Sequence, residues 1–277
     1  MKENTLVSQL FDLSGKVALV TGCKSLGYDA SKALAELGAT VVMTRRNQKE
    51  AEETAERLSA ECGCEASGVA LEVRDAKNWE SIVENVLEKY GKIDILINNA
   101  GGKMIPRGEK KDMDALVTDF LEKRSLESWT YGIDTNLTSV FLGCRAVMPS
   151  MRKAGYGKII NLGSIDGIVG RDMRIYPDTG MTVAPDYCAG KGGVINLTKG
   201  LAVIFAQYGI YVNSISPGGF WRKQNETFVN NYVNNVPLGR MGRDGIDILG
   251  AVAFLASSAS DYVVGHNLVV DGGWTAW

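Results

Sequence analysis

The stretch VALVTGCKSLGYDASKALAELGATVVMT, residues 17–44, decides the fold. A Val-rich run enters a turn with two glycines and then a segment where Ala30, Ala33, Leu34 and Leu37 recur at helical spacing. Gly38 stops that segment before a second apolar run. Strand, helix and strand in this order form a βαβ unit with parallel strands. Its first turn aims backbone N–H groups along the positive end of a helix dipole, which suits a pyrophosphate. Gly22, Lys24, Ser25, Leu26 and Gly27 are the phosphate-binding candidates. The full G-x-G-x-x-G pattern is absent, so a tight turn without a ligand is the plain alternative.

The same alternation continues outward. KVALVTG, ATVVMT, GVALEV, IDILINN, KIINLGS, YVNSIS and NLVVDGG are strand candidates, separated by segments of helical period. Runs of Val, Ile and Leu without polar alternation predict strands buried on both faces. The expected fold is α/β, a doubly wound parallel seven-stranded sheet with helices on both faces. No Pro- or Ser-rich linker, repeat or low-complexity tract interrupts the chain, which predicts one domain over residues 1–277.

Composition removes several function classes. Of 277 residues, 45% are hydrophobic and 22% charged, with a net charge of −2, so nothing calls for nucleic acid. No apolar run reaches the ~20 residues of a membrane span, and the first residues lack a signal-type apolar region, which predicts a cytoplasmic protein. Cys23, Cys62, Cys64, Cys144 and Cys188 are an odd, scattered set, expected as reduced thiols. His266 is the only histidine, which excludes His/Cys metal clusters and a Ser-His-Asp triad built on another histidine. No metal is expected. Tyrosine, lysine, serine and carboxylates are left to carry acid-base chemistry.

One such set stands in PDYCAGKGG, residues 185–193, where Tyr187 precedes Lys191 by four positions. Residues at i and i+4 share a helix face, and Val194, Leu197, Leu201, Ile204 and Tyr208 continue a packing stripe along that helix. An ammonium beside a phenol favours the phenolate and is expected to lower its pKa from about 10. The plain alternative is a buried tyrosine with a surface lysine.

Six marks follow in order: TGCKSLG at 21–27, NNAG at 98–101, Asn136 in DTNLTSVF, Ser164 in NLGSIDG, the Tyr187–Lys191 pair, and SPGG at 216–219. Together, and with GHNLVVDGGW at 265–274, they resemble the short-chain dehydrogenase/reductase family over nearly the whole chain. That resemblance implies a Rossmann-type domain with a nicotinamide cofactor across the carboxyl ends of the strands. It implies a catalytic set of Asn136, Ser164, Tyr187 and Lys191. Tyr187 is the general acid-base, Ser164 binds the substrate oxygen, and Lys191 holds the nicotinamide ribose, beside Tyr187. Asn136 fixes a water that links Lys191 to solvent. Glu72 and Val73 fall at the adenine contact, Asn99, Ala100 and Gly101 beside the ribose, and Pro217 and Gly218 at the nicotinamide end. From the residues alone, Ser164 also reads as a turn or cap serine, and Asn136 as a structural helix asparagine.

Cofactor choice turns on VVMTRRNQKE, where Arg45 and Arg46 stand in place of the acidic residue that binds the ribose of NAD. Guanidinium groups suit a phosphate, so NADP is favoured, with NAD as the alternative. Three departures from the family pattern are visible. The glycine turn is one residue short, with Ser25 in place of the middle glycine. The threonine expected after Pro-Gly is replaced by Arg222. The intervals Gly101–Asn136 and Ser164–Tyr187 are long, giving insertions near 102–127 and 167–185 that enter one cleft as lids or disordered segments.

These insertions suggest the substrate. Arg107, Lys110, Lys111, Arg171 and Arg174, with Arg222, border the expected cleft and favour an anion such as a sugar acid of the gluconate or mannonate type. Asp112, Asp114, Asp172 and Asp178 in the same segments argue for solubility instead. Met173, Ile175, Tyr176, Met181 and Trp221 keep a bulky apolar ketone, such as a steroid, as the alternative. The expected substrate contacts are Ser164, Tyr187, Arg174 and Trp221. A catalytically idle nucleotide-binding regulator is the reading from another class. The chain is short of a separate domain for sugar-nucleotide epimerisation, and resemblance to enoyl reductases would call for a wider tyrosine-to-lysine spacing. The family resemblance also implies a homotetramer, with residues 247–270 at the interface.

Overall fold

The computed structural model describes residues 6–101, 112–181 and 184–277, and within them all seven expected strands form one parallel sheet. They are β1 (Val17–Val20), β2 (Thr40–Arg45), β3 (Ala66–Ala70), β4 (Ile95–Asn98), β5 (Gly157–Leu162), β6 (Ile210–Pro217) and β7 (Asn267–Val270). Their order, β3-β2-β1-β4-β5-β6-β7, reverses direction between β1 and β4. A doubly wound sheet opens a crevice at such a reversal, outside the carboxyl ends of the strands.

The first three connections carry α1 (Leu26–Glu36), α2 (Gln48–Cys62) and α3 (Ala76–Tyr90). Between β4 and β5 run α4 (Met113–Val117), α5 (Leu126–Ile133) and α6 (Ser139–Ala154). The catalytic-motif helix α7 (Pro185–Phe205) follows β5, and α8 (Glu226–Val233) and α9 (Leu249–Ala256) follow β6. Local chemistry sets the ends. Asn47 caps α2 by accepting the Glu50 N–H, and Gly63, at φ 63°, ends it. Asp75 and Gly91 do the same for α3.

Period-two alternation divides the sheet between two cores. Ala18, Val20, Val41, Met43, Ile95 and Ile97 pack with α1, α2 and α9. Val17, Leu19, Val42 and Leu96, the residues between them, pack with α3, α6 and α7. Helices therefore cover both faces, as expected. The edges differ from expectation, because β3 and β7 are only half-buried and each has a neighbour on one side. β3 also lies earlier than the run GVALEV. Its partner β2 ends at Arg45, so Leu71, Glu72 and Val73 leave the ladder and turn toward the crevice. The stripe on α7 is shorter than its sequence period: Val194 is buried, but Ile204 and Tyr208 face outward, and the α-helix ends at Phe205.

A third cluster lies apart from the sheet. Leu116 on α4, Ile165, Ile175 and Tyr176 pack with Phe228 and Tyr232 on α8. The described parts of both long intervals are thus folded against each other rather than free, while 102–111 and 182–183 lie outside the described residues.

Gly68 marks the closest approach of β3 to α2, where an added methyl would collide with the backbone of Ala51 and Glu52. Neither element can shift without disturbing the ladder to β2. Gly68→Ala is therefore expected to destabilise the protein by about 1–3 kcal/mol or more, read from the denaturant midpoint; an unchanged midpoint would contradict this packing.

Candidate active site

The crevice between β1 and β4 starts with the glycine turn. Thr21 Oγ1 accepts the backbone N–H groups of Asn99 and Ala100, both at 3.0 Å. Asn99 answers with its Nδ2, which donates to the carbonyls of Thr21 and Gly22 at 3.1 and 2.8 Å. These four hydrogen bonds lace the two strand ends together, alongside those that the Thr21 N–H and hydroxyl give to the Ile97 carbonyl. Gly22, at φ 66°, lies so close to Ala100 that a Cβ would sit 2.7 Å from the Ala100 Cα. At Gly27 a side chain would collide with Asn99 Nδ2, so this glycine serves close packing and does not line the cavity.

Ser25, in place of the family's glycine, takes φ 56° and ψ −123° as the N-cap of α1. L-residues rarely adopt this conformation. Its hydroxyl makes no capping hydrogen bond. Ser25 lines the cavity beside Lys24 and Leu26.

The cavity has a volume of about 640 Å³ and runs from this turn past the end of β2 to Glu72 and Val73 on one side and Asn99–Gly101 on the other. All expected nucleotide contacts except Gly27, Tyr187, Lys191, Pro217 and Gly218 line it. Gly218 packs instead against Asp271 and donates to the Val270 carbonyl at 3.0 Å. Lys24, Arg45, Arg46, Arg74 and Arg222 bring five cations to the lining, against Glu50 and Glu72. Not all of them are available. Arg45 is held by Glu50 at 2.6 Å and by Thr54 Oγ1 at 3.2 Å. Arg74 forks onto Glu72 and lies 4.6 Å over the Tyr131 ring, and this pairing holds the Glu72 carboxyl below its ordinary range. Arg46 is exposed at the cavity rim. An elongated, cation-rich cleft with a glycine turn at a helix N-terminus fits a dinucleotide.

Sequence reasoning missed Arg74, Tyr131 and Thr135 in this lining. Thr135 stands one residue before Asn136, and Tyr131 one helical turn earlier, so the spacing could have located both.

Beyond Gly101 the four motif residues converge. Asn136 is fully buried in a π-helical turn, Asp134–Thr138, and its Nδ2 donates to the Gly132 carbonyl at 2.8 Å. Such turns are rare and often occur at functional sites. A Cβ at Gly101 would lie 2.9 Å from Asn136 Oδ1 and 3.7 Å from Lys191 Nζ, so backbone alone separates these side chains from the crevice. Lys191 is buried and donates to the Leu162 carbonyl at 2.6 Å. Ser164, at the end of β5, accepts the Asp166 N–H and also hydrogen-bonds Tyr187, so the cap and the site role coexist.

The electrostatics correct the sequence expectation. Lys191 Nζ stands 5.7 Å from the centre of the Tyr187 ring rather than at its hydroxyl. Burial raises the Tyr187 phenol above its ordinary value, more than Ser164 and the Arg171 charge lower it. Burial also lowers Lys191 to about 8. Desolvation dominates here: at Tyr187 it outweighs the Arg171 charge and the Ser164 hydrogen bond, and at Lys191 it is the cause of the shift.

The insertion cations separate. Arg107, Lys110 and Lys111 lie outside the described residues. Arg174 is 81% exposed and already forked on Asp172, so it is not gathered with the motif residues as expected. Arg171 is mostly buried between Asp166 and the Tyr176 hydroxyl, close enough to Tyr187 to influence it. Trp221 is 51% exposed, and Arg222 belongs to the cofactor-shaped cleft rather than to a substrate rim. A further pair escaped the sequence: Arg124 meets the fully buried Asp186 at 2.6 Å, tying the segment before α5 to the start of α7. Asp186 reads in sequence only as a first-turn acid.

Comparison with known proteins agrees with this geometry. A family model described as enoyl-(acyl carrier protein) reductase matches residues 20–275. The chain is 36% identical over 266 residues to the 3-oxoacyl-(acyl-carrier-protein) reductase FabG of Haemophilus influenzae, covering 94% of this chain and 98% of that one. It is 36% identical over 279 residues to the 2-dehydro-3-deoxy-D-gluconate 5-dehydrogenase of Dickeya dadantii, covering 98% and 100%. A short-chain type dehydrogenase/reductase from Mycobacterium marinum superposes with a TM-score of 0.85 at 32% identity over 98% of this chain and 100% of its own. A gluconate 5-dehydrogenase from Burkholderia cenocepacia, in complex with NADP and tartrate, superposes with 0.83 at 32% identity and the same coverage.

The strain at Ser25 is open to measurement. Ser25→Gly relieves a conformation costing on the order of 1–3 kcal/mol, less the ~0.5–1 kcal/mol by which glycine favours the unfolded chain. The expected result is a rise in the urea midpoint equivalent to about 1 kcal/mol. A lowered midpoint would mean that the Ser25 hydroxyl stabilises the turn by more than its backbone strains it.

Proposed function

Because the chain belongs to the short-chain dehydrogenase/reductase family and is an NAD(P)-dependent oxidoreductase, we propose that it interconverts a secondary alcohol and a ketone, with Tyr187 as general acid-base. The observation that carries this reading is the convergence of Asn136, Ser164, Tyr187 and Lys191 beyond Gly101, at the end of the nucleotide-shaped cleft. The nicotinamide, when bound, supplies or accepts the hydride. The hydroxyls of Ser164 and Tyr187 orient the carbonyl oxygen, and Tyr187 gives it a proton on reduction or takes one on oxidation. Lys191, at about 8, is poised to exchange a proton near the working pH, with Asn136 beside it. The four-residue spacing of Tyr187 and Lys191 favours carbonyl over enoyl chemistry. One catalytic domain over residues 1–277 accommodates this reading.

NADP is the proposed cofactor. Arg46, exposed at the rim, is the guanidinium available for a 2′-phosphate, since Arg45 is engaged by Glu50. A cytosolic location fits five free cysteines. A homotetramer fits the exposure of Tyr262, Val264 and Val269 within 247–270.

For the substrate we propose a sugar acid of the gluconate type. The Dickeya and Burkholderia relatives support it, and so does a change of residue: among the described residues Arg171, not Arg174, is the insertion cation whose charge reaches Tyr187, although Asp166 already shares its guanidinium. For the apolar-ketone alternative, Met173, Ile175, Tyr176 and Met181 pack in the third core cluster, which leaves exposed Trp221 as the described residue of that set outside it.

Tyr187→Phe is expected to lower turnover by about a hundred- to ten-thousand-fold while NADPH still binds, and more tightly than NADH, in fluorescence titrations. Retained turnover would remove Tyr187 from the proton step, whereas a wild-type protein that binds NADPH but turns over no alcohol or ketone would favour the idle-regulator reading. Substrate kinetics test the second part. The acid should exceed its neutral polyol in kcat/KM, and Arg171→Met should abolish most of that preference, about tenfold or more, where Arg174→Met does not. Equal kcat/KM for acid and polyol would end the sugar-acid proposal.

A further inference from the structure

We infer that Arg222 is a ligand for the pyrophosphate of the dinucleotide, taking a position where the family pattern has threonine. This rests on the reading of the chain as an NAD(P)-dependent enzyme and adds a residue to its cofactor site. Arg222 shares the cavity lining with Gly22, Lys24 and Ser25. Its guanidinium is held on one side only, where Nε donates to Asp244 Oδ1 at 2.9 Å. On the other side Nη2 is buried and has no hydrogen-bond partner among the described residues. A guanidinium N–H withdrawn from water without an acceptor is costly, and a phosphate oxygen is the acceptor that its fork fits best.

The surrounding backbone fixes where this group stands. Trp221 N–H donates to the Gly242 carbonyl and Gly242 N–H to the Gly219 carbonyl, both at 2.9 Å, so the loop after β6 is sewn to residues 242–245. Gly245 N–H in turn donates to Asp29 Oδ2 at 3.1 Å. Asp29 lies in the first turn of α1 and is near enough to Arg222 to sense its charge. Arg222 is therefore referenced to the N-terminus of α1, where the glycine turn ends, and not to the end of β2, where Arg46 stands. That position selects the pyrophosphate over the 2′-phosphate.

The shortened turn supplies a reason for the replacement. With one residue fewer, and with Ser25 strained in place of glycine, the turn offers fewer backbone N–H groups to a pyrophosphate. A guanidinium anchored by Asp244 adds a charge-assisted donor, Nη2, to the same cavity. Threonine at this position could supply only one neutral hydroxyl.

Calorimetric titration of the full-length enzyme with NADPH, NADH and ADP-ribose separates the possibilities. Arg222→Ala should weaken all three by a similar factor, about 10- to 100-fold, because all three contain the pyrophosphate. Arg222→Lys should recover part of the loss, and Arg46→Ala should weaken NADPH alone. Loss confined to NADPH would assign Arg222 to the 2′-phosphate, and loss confined to the two nicotinamide nucleotides would assign it to the nicotinamide end; either overturns the inference. Unchanged affinities would reduce Arg222 to a loop clamp on Asp244 and also overturn it. If Arg222→Ala fails to fold, Arg222→Gln, which keeps length and a neutral donor, carries the same comparison. A wild-type protein that bound none of the three would instead overturn the oxidoreductase reading itself.

Discussion

The contact between the ends of β1 and β4 sets the rest of the site. Thr21 and Asn99 exchange hydrogen bonds across it, and Gly22 and Ala100 come so close that no side chain fits between them. A parallel sheet cannot join these strands through a short turn, because both chains leave in the same direction. The side chains of Thr21 and Asn99 do that work. Once this seam is closed, the glycine turn faces the strip Asn99–Gly101, α1 starts at the cavity wall, and Gly101 lies against Asn136 and Lys191. One seam thus aligns the nucleotide cleft with the acid-base residues.

Burial, more than proximity of charge, then sets the chemical character of the site. Lys191 and Tyr187 are both shifted by burial toward their neutral forms, so in the protein alone the site holds a phenol beside a lysine that gives up its proton more readily than an exposed one. Any positive charge that a nicotinamide brings to this pocket would act on a group not yet committed to ionisation. The arginines show the same dependence on surroundings. Arg45, Arg74, Arg171 and Arg174 each meet a carboxylate within five residues along the chain. Of these, Arg171 alone is turned inward toward Tyr187, so burial and position, together with local pairing, decide which cations can act on a ligand.

Much of this was legible in sequence where the signal was periodic or local. The seven apolar runs, the glycine turn and the shared helix of Tyr187 and Lys191 each follow from short-range rules, and the sheet, the cavity lining and α7 contain them in that order. Two kinds of contact were not legible. Asp172 and Asp166 stand close to Arg174 and Arg171 in sequence, but spacing does not say which arginine turns inward and which stays exposed. Arg222 and Asp244 are 22 residues apart, and Asp29 and Gly245 are 216 apart, so their contacts are invisible to spacing. The π-turn at Asn136 was hidden for another reason, since one extra residue in a helix leaves the apolar pattern nearly intact.

The third core cluster has a consequence for how this enzyme would respond to heat. It joins α4, the segment around Tyr176 and α8 through a modest set of apolar side chains, while the sheet is held by two larger cores. Regions with fewer buried contacts open with a smaller free energy than the whole molecule. Warming therefore loosens this cluster before it loosens the sheet. Tyr232 within it accepts the Gly219 N–H at 2.6 Å, so the loop after β6 that carries Arg222 shares the sensitivity, while the glycine turn is anchored to the sheet itself.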